Sequence, residues 1–358
     1  METIVIGGGQ SGLAAARALR NLGVSPVILE AGDQPTGSWP HYYDSLTAFS
    51  PARYSAMPGM PFPGDPDHYP TRDEVVDYLQ RYAETLDVEI RTGTRVTAVE
   101  ADGSGGFVVS TADGSRLPTA GVVAASGSFG NPYLPDVPGK EAFAGQLLHA
   151  ADYRSPKEYA GQRVIVVGAG NSAVQIGYEL AEAATVTLAT NHPVAFMPQL
   201  LGGKDLHYWH TTTGFDELPL EWLAQIVHTT LVMDTGDYAD AFESGRVSQR
   251  SMFTAFDGDG VIWADGTAEQ VDTVIFAAGY RPNLPNLPYL RRLGALDEAG
   301  MPKHVGGIST THAGLVYVGL EFQRSFASNT LRGVARDAEH VAAPLAAYAV
   351  KARAAYGL

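Results

Sequence analysis

The sequence predicts an α/β fold of two related dinucleotide-binding units, the second inserted into the first, and three observations predict it. A β-branched run, Thr3 to Ile6, meets G-x-G-x-x-G at Gly7, Gly9 and Gly12, followed by a small-residue helix. The pattern returns after Arg163 to Val167 with Gly168, Gly170 and Ala173, an offset of 161 residues. A second pair of segments repeats at an offset of 152 residues: Asp113-Gly114 precedes the strand ending at Gly127, and Asp265-Gly266 precedes the strand ending at Gly279. Each half thus offers a Rossmann-like βαβ opening, a hairpin with a D-G turn, and a closing apolar strand that ends in glycine.

Each glycine cluster has a physical reason. The first Gly permits the tight strand-to-helix turn, and the second lets backbone approach a pyrophosphate. The third position must be small for helix and strand to pack, which Gly12 and Ala173 both satisfy. The helix N-terminus, opened by Gln10 and Ser11 in one unit and by Asn171 and Ser172 in the other, then turns N–H groups and positive dipole toward the phosphates. The end of the next strand selects the nucleotide. Glu30 stands 23 residues after Gly7, where a carboxylate accepts from a free ribose 2′-hydroxyl and repels a 2′-phosphate. The same count from Gly168 gives Asn191, followed by His192. Neither an acid nor a phosphate-clamping Arg stands there, so weak discrimination between NADH and NADPH is expected.

Between these landmarks, Ser50 to Tyr69 carries five prolines and reads as a long loop. Thr71 to Glu74 is a capping box opening a helix with apolar Val75, Leu79, Tyr82 and Leu86. Residues 88–99 and 107–110 read as strands, 204–251 as a mostly helical insertion in the second unit, and 333–356 as a terminal helix interrupted or kinked near Pro344. The expected division is 1–157 with 280–358 for the first domain and 158–279 for the second.

Composition sets the outer limits. The 358 residues carry 24 Lys+Arg against 39 Asp+Glu, a net charge of −15, which argues against a partner held by phosphate neutralisation. No Cys is present, so a disulfide framework, a thiolate metal site and a redox-active cysteine pair are all excluded. Any redox chemistry falls to a bound cofactor. No secretory leader precedes the strand at Ile4 and no stretch reads as a membrane span, so a cytoplasmic protein is expected.

One further run carries the most specific signal. Phe143, Gly145, His149 and Tyr153 match F-x-G-x-x-x-H-x-x-x-[YFW] between the two glycine motifs. With it the chain resembles the class B flavoprotein monooxygenases, which include flavin-containing and Baeyer–Villiger enzymes. The final Tyr is closer to the flavin-containing branch. Gly37-Ser38-Trp39, Tyr43 to Leu46, Tyr69 to Arg72, Ser126-Gly127 and Gly279-Tyr280-Arg281-Pro282 match other family segments.

The resemblance implies FAD in the first unit and NADPH, NADH or both in the second. It also implies a linker role for His149 and an oxygenation that proceeds through a peroxyflavin on a sulfide, an amine or a ketone. Amine-oxidising members carry an Asn just after the Tyr-x-Ser-Leu segment. Here that register holds Phe49-Ser50-Pro51, which shifts the expectation toward sulfide or carbonyl substrates. No acid–base residue is assigned, because the chemistry lies on the flavin, and Phe49 and Tyr54 are expected to line the site. His207 and His210, with Asp205 nearby, share a helix face, but no further ligand motif accompanies them and no metal is expected. The expected partners are a small-molecule substrate and molecular oxygen, with a homodimer left open and nucleic acid and membrane excluded. The alternatives are an NAD(P)H-dependent reductase passing electrons to another acceptor and a non-catalytic flavin/nucleotide sensor.

Overall fold

The computed structural model describes residues 3–227, 230–281, 290 and 292–356. Pro282 of the Gly279-to-Pro282 segment lies outside them. Two sheets organise the chain, the first parallel except for the antiparallel pairs that His304–Val305, Ile308–Ser309 and Leu315–Tyr317 make at one edge. The first has seven strands in the order His304–Val305, Ile308–Ser309, Leu315–Tyr317, Gly121–Ala124, Thr3–Ile6, Pro26–Leu29, Glu89–Arg91. Thr3–Ile6 and its two neighbours are buried along their whole length, as a sheet covered on both faces requires. The second sheet has five strands, all parallel: Val247–Ser251, Thr185–Thr190, Arg163–Val167, Thr273–Phe276 and Gln146–His149.

Each expected D-G turn joins an antiparallel pair. Phe107–Thr111 pairs with Arg116–Thr119 around Gly114, and Gly260–Ile262 pairs with Ala268–Gln270 around Gly266. The helix Gln10–Asn21 packs between the first sheet and the terminal helix through Leu13, Leu19, Val341 and Leu345. Thr71 caps the helix Arg72–Glu84 with the full capping box.

Four sequence expectations are corrected. The stretch 88–99 is not one strand: Gly93, at φ +61°, turns the chain between Glu89–Arg91 in the sheet and Val96–Ala101 in a separate antiparallel meander. The 204–251 insertion is mixed, not mostly helical. Besides the helices Leu206–Thr212, Leu220–Leu223 and Asp237–Glu243 it holds Leu231–Asp234, parallel to Ala195–Pro198, and Val247–Ser251, which caps the edge of the second sheet. Leu231–Asp234 buries alternate residues, whereas Val247–Ser251 buries only its first and becomes a strand by pairing with the open edge of Thr185–Thr190. Of the two readings of Pro344, the interruption is overturned: the terminal helix Val334–Tyr356 is continuous through it. Finally, Gln146–His149 hydrogen-bonds to Thr273–Phe276, so this strand, read within residues 1–157 of the first domain, is an edge of the second sheet.

Candidate functional site

The carboxyl ends of the first sheet open into a cavity of about 470 Å³, the expected place for a ligand in an open α/β sheet. Gly7, Gly9, Gln10, Ser11, Glu30, Gly37, Ser38, Trp39, Ser126 and Gly127 all line it. A Cβ at Gly7 would meet the Ala125 carbonyl oxygen at 2.4 Å, and one at Gly37 would meet Gly9 Cα at 2.8 Å. Gly12 lies behind the wall, where a Cβ would press on the Gly7 carbonyl oxygen at 1.9 Å. The helix Gln10–Asn21 starts at Gly9 without a side-chain cap, leaving its orphan N–H groups to a ligand. Glu30 is 9% exposed and accepts from Gly8 N at 2.5 Å and Gly32 N at 2.6 Å. A diphosphate-bearing dinucleotide fits this cradle: close backbone, free N–H groups, and a carboxylate one strand away.

At the other end of the cavity the wall is aromatic. Trp39 Nε1 donates to Gln10 Oε1 at 2.9 Å. Tyr42 meets Phe129 edge-on at 4.6 Å, Phe129 stacks on Tyr280 at 5.1 Å, and Tyr280 meets His149 edge-on at 4.9 Å. This row of rings runs from the first cavity to the end of the strand Gln146–His149 at the edge of the second sheet. His149, the centre of the linker signature, is buried; its Nδ1 accepts from Ala151 N at 3.0 Å while Nε2 lies 3.1 Å from the Gly279 carbonyl oxygen. Burial lowers its pKa. Phe143 packs on Phe256 at 4.9 Å, a Cβ at Gly145 would meet the Asp272 carbonyl oxygen at 2.7 Å, and Tyr153 is fully buried against Tyr43 and Tyr159. The signature residues thus occupy tightly packed positions.

In the second unit, Gly168 at φ +143° approaches the Ala277 carbonyl oxygen, and Gly170 starts an uncapped helix, Asn171–Leu180. Ala173 is buried against Gly168, and Ser172 sits one position ahead of it in the first turn. Asn191 and His192 are exposed just past Thr185–Thr190. The Asn171 side chain has partners within the protein. Its carboxamide accepts from Met233 N at 3.1 Å and donates to the Leu231 carbonyl at 3.4 Å, so it fastens a strand of the insertion.

The insertion meets the first unit where Phe49 and Tyr54 stand. Their rings flank His207, each at 6.1 Å. Gln199 Nε2 bridges the Phe49 carbonyl (3.1 Å) and Asp205 Oδ2 (2.7 Å), and Tyr69 donates to Asp205 at 2.6 Å. Burial opposes the charge on Asp205, but these donors together with the His207 ring and backbone N–H outweigh it and hold its pKa at about 2.

The cavity also uses residues the motifs did not reveal, among them Thr36, Thr94, Arg95, Phe129, Gly319 and Asn329. Gly319 had a signal. It ends an apolar run, Leu315 to Val318, as Gly127 and Gly279 do, and a Cβ there would meet Ser11 Oγ at 2.1 Å. Thr94 and Asn329 sit in loops without a pattern.

Two nucleotide cradles in one chain, joined by a buried linker, are the parts of a two-domain flavoprotein oxidoreductase. The model of the pyridine nucleotide-disulphide oxidoreductase family matches residues 4–199. A Geobacillus kaustophilus protein named "uncharacterized oxidoreductase CzcO-like" is 31% identical over 95% of this chain and 97% of its own length. The rice protein named indole-3-pyruvate monooxygenase YUCCA1 is 31% identical over 79% of this chain and 77% of its own. The structure of a flavin-containing monooxygenase from Stenotrophomonas maltophilia superposes with a TM-score of 0.84 at 33% identity, covering 97% of this chain and 98% of that one. The chain belongs to the pyridine nucleotide-disulphide oxidoreductase family and, within it, to the class B flavoprotein monooxygenases. It is an oxidoreductase whose cofactors are FAD and NAD(P)H. No described helix is long and apolar enough to cross a membrane.

Proposed function

We propose that the protein spends NAD(P)H and dioxygen to oxygenate a small soft nucleophile, with a sulfide preferred, a ketone next and an amine last. One observation carries the reading. A row of rings, Tyr42, Phe129, Tyr280 and His149, joins the first cavity to the second unit in a chain without cysteine. Electrons delivered to that cavity meet no dithiol, and the ring wall gives it an apolar border. Bound there, FAD supplies two-electron storage and activation of dioxygen.

The chain's own residues hold and shield. Gly7, Gly9, Gln10, Ser11 and Gly12 cradle the FAD diphosphate, Glu30 accepts from the adenosine ribose, and Gly37, Ser38, Trp39, Ser126 and Gly127 border the rest. Gly168, Gly170, Asn171, Ser172 and Ala173 take the NAD(P)H diphosphate, with Asn191 and His192 near its ribose; Asn171 does so through its backbone, its carboxamide being tied to the insertion. Neutral His149 keeps its proton on Nε2 and holds Tyr280 in the row. The preference for sulfide over amine is supported by the Phe49-Ser50-Pro51 register: it offers no amide, and the Ser50 hydroxyl is turned onto Ser55 Oγ at 2.9 Å.

The test is coupling. FAD-loaded protein is given NADPH and thioanisole in air, and sulfoxide, hydrogen peroxide and NADPH are counted together. Sulfoxide formed in near-equal amount to NADPH consumed is the expected result. If thioanisole, benzylamine and cyclohexanone all leave every electron in hydrogen peroxide, while a quinone accelerates NADPH consumption, the protein is a reductase.

A further inference from the structure

The wall that closes the first cavity from the C-terminal side is held in place by the second unit. Asn329 lines that cavity. Its backbone carbonyl accepts from Gln10 Nε2 at 2.7 Å, and its carboxamide makes no hydrogen bond to any described residue. Gln10, by contrast, is used at both ends, since its Oε1 takes the Trp39 indole N–H. Asn329 is therefore tied through Gln10 to Trp39, and all three line the same cavity.

Both flanks of Asn329 are gripped by the 204–251 insertion. Three residues on, Arg332 donates from Nε and from a terminal nitrogen to the two carboxylate oxygens of Asp216, each at 2.8 Å, and the side chains are 8% and 3% exposed. Three residues before, the Phe326 ring meets His210 at 5.5 Å and Phe215 at 5.3 Å. A buried two-point guanidinium–carboxylate pair is stiff because both groups are planar and leave one geometry open.

We propose that Asn329 is a hydrogen-bonding residue for the isoalloxazine ring and that the Arg332–Asp216 pair positions it, so that the insertion of the nucleotide unit sets how the flavin is held. The proposal rests on the first cavity being the flavin site. Its chemistry is complementarity: a carboxamide offers one acceptor and two donors, matching the alternating N–H and C=O groups of the flavin's pyrimidine edge. The insertion, foreign to the first unit in sequence, thereby becomes part of its cofactor site.

The experiment titrates apoprotein with FAD, reading the quenching of flavin fluorescence, and then measures the reduction potential of the bound flavin. Asn329→Ala is expected to weaken FAD about three- to tenfold, the range of one lost hydrogen bond. Arg332→Lys, which keeps the charge but loses the fork, is expected to weaken it too and to move the potential in the same direction. The double variant is expected to match Asn329→Ala within about twofold, since the pair acts through Asn329. Losses that multiply in the double variant overturn the positioning role, as does an Arg332→Lys protein that melts earlier with an unmoved potential. Unchanged affinity in Asn329→Ala overturns the contact itself. If Arg332→Lys does not fold, Phe326→Leu loosens the same segment without touching a charge, under the same criteria. Wild-type protein that binds no FAD defeats the flavin reading of the cavity, a different failure from any of these.

Discussion

The His149 imidazole and the Gly279 carbonyl fasten the crossover that enters the second unit to the one that leads back to the first, with Nε2 and the oxygen 3.1 Å apart. Because Nδ1 accepts from Ala151 N, the ring proton sits on Nε2 and is donated to Gly279. Protonating Nδ1 would break that acceptor, and burial already disfavours the cation.

This relationship gives the first prediction. A His whose pKa is depressed on folding adds stability that is complete above its unfolded value of about 6.5 and is lost as pH falls below it. His149→Phe keeps a ring against Tyr280 but strands the Gly279 acceptor, at a cost of about 1–3 kcal/mol. Urea unfolding is expected to show that gap in full near pH 7.5 and to show it shrinking as pH falls below about 6.5. A gap of constant size would mean that His149 acts by packing alone.

Glu30 receives two backbone N–H groups, from Gly8 and Gly32, at the mouth of the cradle. Glu30→Arg replaces an acceptor by a cation beside N–H donors and removes the ribose partner. The ratio of flavin to protein absorbance after purification is expected to drop by about an order of magnitude, the scale of a lost charge-assisted pair. Full flavin content in this variant would move the ribose elsewhere.

These two residues illustrate what the sequence made legible. Glu30 was readable because its distance from Gly7 is fixed by one turn, one helix and one strand, all local. His149 was readable as a linker residue from its motif, but its tautomer was not, since Ala151 N and Gly279 O become its partners only through tertiary packing. The 204–251 segment misled for the same reason. Val247–Ser251 has too weak an alternation to announce a strand, and it becomes one because the edge of Thr185–Thr190 is open to it. Asn329, Thr94 and Arg95 reach the cavity across sheet and loop, and no period of 2 or 3.6 residues records such a meeting.

Gly170 permits a clean test of the second cradle. A Cβ there would find only the Thr230 methyl at 3.5 Å, an ordinary contact, so a side chain is tolerated by the protein and resisted by a nucleotide. Gly170→Glu is expected to retain FAD and to lose flavin reduction by NAD(P)H under anaerobic conditions. Reduction at the normal rate would show that the nucleotide binds somewhere else.

Asn191 and His192 are exposed at the end of their strand and present neither a carboxylate nor a guanidinium. The kcat/KM values for NADH and NADPH are accordingly expected to lie within about tenfold, or 1.4 kcal/mol. Asn191→Asp should raise the preference for NADH by setting a charge against the 2′-phosphate. A native ratio on the order of several hundred would place an unseen phosphate clamp nearby.

Asp205 carries the last prediction, since four donors converge on it: Tyr69 and Gln199 at 2.6 and 2.7 Å, and the His207 ring and backbone, each at 2.8 Å. Its pKa is held at about 2. The sign follows from linkage: a carboxylate depressed on folding stabilises above its unfolded pKa of about 3.9, and that stability drains as pH falls toward the folded value. Asp205→Asn substitutes an NH₂ for one oxygen and sets donor against donor in a buried cluster. Loss of at least about 1–3 kcal/mol at neutral pH is expected. In denaturant titrations between about pH 5 and pH 2 the wild type should fall toward the variant, because the proton it gains abolishes the charge that the variant already lacks. Parallel curves over that range would mean that Asp205 is not ionised in the folded protein, and that the seam between loop and insertion is held by Gln199 and Tyr69 without it.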